Sequence, residues 1–144
     1  MIEPDTIRLL RECDAGIKMA VSSINDVMDY ISDSAFLQNL LACKEEHVKL
    51  QHMIQSELAD YHDDGKDPNP MAKSMSWLKT NMKLIMNESD KTIADLITDG
   101  CNMGIKSLNK YLNQYEAADE KSKDITKRLI KLEEQLIEDV RGYL

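Results

Sequence analysis

The chain has 144 residues, with 26 acidic side chains against 18 lysines and arginines and a net charge of −8. That length suits one domain spanning residues 1–144, and the acidic balance lacks the basic face that nucleic acid requires. Five glycines and 3 prolines offer too little turn chemistry for an all-β fold, and no apolar run nears the ~20 residues of a membrane span.

The apolar spacing is helical from the start. Between Pro4 and about Asp33, the residues Leu10, Ile17, Ile24 and Ile31 recur every seven positions, with Cys13, Ala20 and Val27 between them. This is the inner seam of a long bundle helix, and Pro4 suits its first turn, where a missing N–H costs nothing. Asp33-Ser34 supplies cap chemistry for a second helix to about His62, with the stripe Phe36, Leu40, Cys43, His47, Leu50, Ile54, Leu58 and Tyr61. The breaker Asp63-Asp64-Gly65-Lys66-Asp67-Pro68-Asn69-Pro70 leads to a short Met-rich helix over 71–87, with Met71, Met75, Leu78, Met82 and Ile85 on one side. Ser89-Asp90 starts a helix to about Tyr115 that carries Ile93, Ile97, Cys101, Gly104, Leu108 and Tyr111 inward. The last helix begins near Asp119 and presents Ile125, Leu129, Leu132, Leu136, Val140 and Tyr143.

An internal repeat accompanies this plan. Cys13-Asp14-Ala15-Gly16-Ile17-Lys18 matches Cys101-Asn102-Met103-Gly104-Ile105-Lys106 at an offset of 88, which also lays Glu45-Glu46 on Glu133-Glu134. The expected fold is all-α: an antiparallel four-helix bundle of two repeated hairpins, 4–62 and 89–144, joined by a linker and short helix over 63–88. In its helix lengths, long crossover and repeat, nearly the whole chain resembles the small bacterial ferritin-like bundles. The resemblance implies a ferritin-like fold and, for relatives that keep their ligands, di-iron redox chemistry.

The ligands for that chemistry are missing. A di-iron centre takes a Glu from each of two helices and Glu-x-x-His from each of the other two. The residues three before His47, His52 and His62 are Lys44, Lys49 and Ala59. No cofactor is therefore expected. The remaining weak metal candidates are His47 in mid-stripe, Glu46 on its flank and Asp14 near the edge of the first stripe. A buried imidazole needs hydrogen-bond partners, for which Ser23 and Ser107 are placed; a satisfied core histidine is the plain alternative to a ligand. Glu133 reads as a flank residue and Glu134 as outward.

Cys43 stands one turn from His47, a spacing that fits a thiolate–imidazole couple, although apolar burial makes a thiol inert. Cys13 and Cys101 read as reduced core residues sharing one layer. Gly16 and Gly104 predict close helix approach or a small ligand cavity. A second apolar stripe, Leu37, Leu41 and Val48 on the second helix with Ile130, Ile137 and Leu144 on the last, predicts a homodimer interface. Phosphate-loop and nucleophile-elbow motifs are absent. The expectation is a cytoplasmic, non-catalytic module with a structural or protein-binding role, without nucleic acid or membrane partners. The alternative is a metal-dependent oxidoreductase or iron-binding protein with a non-standard site near His47.

Overall fold

The computed structural model describes residues 4–68 and 89–144. Among the described residues it holds four long helices: α1 (Pro4–Met28), α2 (Ser34–Asp60), α3 (Asp90–Gln114) and α4 (Glu120–Val140), followed by a 3-10 turn over Arg141–Tyr143. The expected Met-rich helix over 71–87 lies outside the described residues.

Local chemistry sets the boundaries. The Asp33 carboxylate accepts from Phe36 N at 2.9 Å, Ser89 Oγ from Thr92 N at 3.2 Å, and Asp119 from Ser122 N at 2.8 Å. Each satisfies a first-turn N–H that has no partner inside its own helix. α1 stops at Met28, short of Asp33, because Tyr30 N and Ile31 N bond three residues back, to Val27 O and Met28 O. α2 stops at Asp60 in a paired C-terminal turn, with Asp63 N on Leu58 O at 2.9 Å and His62 N on Ala59 O at 3.0 Å. This motif requires a left-handed residue, and His62 occupies it at φ 57°.

Bonds at the two ends fix how the hairpins meet. At one end, the Asp90 carboxylate accepts from Ser32 N at 2.8 Å and Asp33 N at 2.9 Å, and the Tyr143 hydroxyl donates to Asp33 at 3.0 Å. At the other, Ala117 N donates to Asp5 at 3.2 Å and Asp119 N to Thr6 Oγ1 at 2.9 Å. α1 and α4 therefore run one way and α2 and α3 the other, an order that needs a long connection between α2 and α3. The closest pairs are α1–α2 and α3–α4; α2–α4 and α1–α3 close the ring.

The core falls into two apolar halves. Leu9, Leu10, Ile17, Leu50, Ile54, Leu58, Ile125 and Leu129 fill the half nearer Thr6 and Asp119. Ile24, Val27, Phe36, Leu40, Ile93, Leu136 and Val140 fill the half nearer Ser32 and Asp90, where Tyr143 stacks on Phe36 at 4.5 Å between ring centres. Full burial of each such side chain contributes about 1.5–3 kcal/mol. Cys13 belongs to the first half and Cys101 to the second, so they do not share a layer as expected.

Burial follows a register of its own. Leu9, Leu10, Cys13, Ile17 and Ile24 correspond in burial to Ile93, Ala94, Ile97, Cys101 and Leu108, 84 residues on. Phe36, Leu40, Cys43, His47, Leu50 and Ile54 correspond to Ser122, Thr126, Leu129, Glu133, Leu136 and Val140, 86 residues on. The offset of 88 would lay exposed Glu45 on buried Glu133 and buried Asp14 on exposed Asn102. Identity of letters does not follow the packing.

The expected interface stripe divides. Ile130 sits in the chain's own core at 7% exposure and Ile137 packs against the other half, because this side of α4 faces α3. Leu37, Leu41 and Val48 are half-buried, and Leu144 is exposed.

Candidate functional site

Where the two apolar halves meet, the interior turns polar. His47 is 1% exposed and Glu133 8%, and their burial-equivalent positions on α2 and α4 bring them face to face. His47 Nδ1 lies 2.8 Å from the Cys43 carbonyl oxygen, and Nε2 lies 3.4 Å from Glu133 Oε1. The carbonyl only accepts, so Nδ1 carries a proton; facing an ionised Glu133, Nε2 donates as well and the ring is an imidazolium. Burial opposes that charge. Hydrogen bonding to Cys43 and Glu133 outweighs it and pushes the His47 pKa up to about 10.

The Cys101 thiol neighbours Glu133, and burial and the carboxylate's charge together raise that thiol's pKa. Gly104 makes the room, since a Cβ built there would lie 3.3 Å from Glu133 Oε2. The close approach expected at Gly104 is thus between backbone and carboxylate. Gly16 has no such role: it is exposed, and nothing lies within 4 Å of a Cβ there. Ser23 and Ser107 are not the partners of His47. Glu46 is exposed and pairs with Lys49 at 3.0 Å, so it is not the carboxylate beside the imidazole either. Sequence reasoning missed Glu133, though its spacing of four from Leu129 and three from Leu136 places it on the inner stripe.

Asp14 belongs to a different cluster. It is 0% exposed, and its Oδ2 accepts from Lys18 Nζ at 2.8 Å and Lys66 N at 3.1 Å. Its Oδ1 is buried with no hydrogen-bond partner among the described residues. The segment after α2 straps across α1 around this carboxylate. Asp63 accepts from Arg11 at 2.9 and 3.1 Å, Lys66 pairs with Glu12, and Lys18 reaches Asp67 at 3.1 Å. Gly65, at φ 93°, lies so close that a Cβ would stand 2.3 Å from Asp14 Oδ2. Burial would raise the Asp63 pKa, but the bonds from Gly65 N and Arg11 outweigh it and hold the carboxyl below its ordinary value. The acidic link expected to be plain breaker chemistry is therefore an anchored strap.

The three metal candidates thus part company: Asp14 in the strap, Glu46 in solvent, His47 in the core. Among the described residues, no group of three or more His, Cys, Asp or Glu is arranged to hold a metal ion. Both nitrogens of His47 are committed within the protein. Cys13 is fully buried against the Thr126 hydroxyl at 3.2 Å, and burial pushes its pKa up to about 12. None of the described helices is long and apolar enough to cross a membrane. Comparison with protein-family models, curated proteins and solved structures finds no match for this chain.

Proposed function

We propose that the chain is a non-catalytic, ferritin-like bundle that serves as a structural or protein-interaction module, as a homodimer in a bacterial cytoplasm. The helix directions, with two hairpins and a long α2–α3 connection, support the ferritin-like plan. The observation that carries the non-catalytic reading is the occupancy of His47. The most deeply placed imidazole spends both nitrogens on Cys43 O and Glu133, leaving no lone pair for a metal or a substrate proton.

Elemental analysis of untagged protein from iron- and zinc-supplemented cells tests this, together with sedimentation to measure the mass in solution. The expected result is metal far below one atom per chain and a particle of twice the chain mass. Iron, manganese or zinc near one or two atoms per chain, lost in His47→Gln, would overturn it in favour of a metal-dependent oxidoreductase centred on His47 and Glu133.

A further inference from the structure

The three cysteines are all free, yet their surroundings differ. Cys13 is sealed at 0% exposure and hydrogen-bonded to Thr126; Cys101 is 4% exposed, and burial and the nearby Glu133 raise its pKa. Cys43 is the most accessible of the three, at 9%. It lines a groove of about 170 Å³ between α2 and α4, together with Asn39, Glu46, Leu132, Gln135, Leu136 and Asp139. Its sulfur lies 3.4 Å from His47 Nδ1, the nitrogen that also stands 2.8 Å from the Cys43 carbonyl oxygen. The far nitrogen of the same ring is held by Glu133. Sulfur, imidazole and carboxylate thus stand in sequence, with the carboxylate fixing the ring and helping to keep it charged.

We propose that Cys43 is a modification site, a thiol that low-molecular-mass disulfides of the glutathione class convert to a mixed disulfide in the folded protein. The thiolate is the attacking form, and the His47 ring stands 3.4 Å from the sulfur on which negative charge builds. In the reaction the thiol proton goes to solvent and the Cys43 sulfur attacks one sulfur of the disulfide. A protein–glutathione S–S bond forms as the original S–S bond breaks, and the departing thiolate takes a proton from water. The protein thiol is oxidised and the small disulfide reduced, with no other reactant needed. The groove supplies a route that Cys13 and Cys101 lack. Its lining is mixed, with Leu132 and Leu136 beside Asn39 and Gln135 and the carboxylates Glu46 and Asp139. This inference stands apart from the ferritin-like reading, because it rests on the thiol's neighbours alone.

The test is incubation of the native full chain with oxidised glutathione, acid quenching and peptide mapping by mass spectrometry. The expected product carries one glutathione, on Cys43, with Cys13 and Cys101 modified only after denaturant is added. Cys43→Ser is expected to take none while folded, and His47→Asn to form the adduct about tenfold more slowly. Modification of all three cysteines at one common rate, or no adduct on Cys43 while the chain stays folded, would overturn the proposal. An unchanged rate in folded His47→Asn would remove the imidazole from it. Should that variant fail to fold by circular dichroism, the order of labelling in the unaltered chain still decides the matter.

Discussion

The two hairpins share much of one ladder of buried positions, and at one rung of it their chemistry differs sharply. Asp14 of α1 stands 84 residues before the half-buried Thr98 of α3, the spacing of the five apolar pairs. Thr98 satisfies itself, donating to Ala94 O of its own helix at 2.8 Å. Asp14 is a buried charge and recruits Lys18 and the strap from 63 to 67. A neutral hydroxyl closes its accounts locally, whereas a carboxylate organises chain from elsewhere. At the next equivalent pair, His47 and Glu133, the two hairpins meet directly, and each supplies the charge the other needs. Buried polarity in this bundle is therefore placed where chain segments must be joined.

The sharpest way to break that comparison is to orphan one member of the central pair. Glu133→Ala leaves an imidazolium without its counter-charge in the core and is expected to cost about 3–5 kcal/mol in denaturant unfolding. Replacing both partners, His47→Leu with Glu133→Leu, should recover most or all of it, because no charge then remains to be desolvated.

Titration addresses the same pair. The folded pKa of His47, about 10, lies above its ordinary unfolded value, so its contribution is complete below about pH 6.5 and is lost as pH rises through 10. The groups facing it, Glu133, Cys43 and Cys101, come from α2, α3 and α4. Unfolding free energy measured from pH 6.5 to 10 should fall with a slope approaching about 1.4 kcal/mol per pH unit, and His47→Leu/Glu133→Leu should flatten it.

The strap is broken by Gly65→Ala, which places a methyl on Asp14 Oδ2 in a left-handed backbone and should cost about 2 kcal/mol. Calorimetry on this variant and on Gly104→Ala compares the two carboxylate–glycine contacts. The smallest effect separates the letter-matched glycines. Gly16→Ala meets open solvent and should stabilise by about 1 kcal/mol, while Gly104→Ala forfeits that gain by pressing on Glu133.

The helix starts were legible because caps are local: Asp33, Ser89 and Asp119 each act on the residue three positions ahead. The all-α class and the burial of His47 were legible from period alone. The partner of His47 was harder to read, because a charged side chain on an apolar stripe is ordinarily assigned to its edge, and Glu133 escapes that rule only through an imidazole 86 positions away. The strap was hidden for the same reason. Asp63, Gly65, Lys66 and Asp67 have turn composition, and only the tertiary fold reveals Asp14 beneath them. The letter match at an offset of 88 does not coincide with the burial register, which packing alone determines.

One consequence concerns synthesis. The partners of Asp5 and Thr6 lie 112 and 113 residues further along, and the carboxylate that completes His47 is 86 residues beyond it. A ribosome delivers α1 and α2 well before any of these. During that interval the first hairpin has no mate for its apolar seam, and its central histidine lacks a counter-ion and can discharge. The His47–Glu133 contact can form only after α4 has left the ribosome, so the polar centre of the core is among the last contacts that synthesis permits.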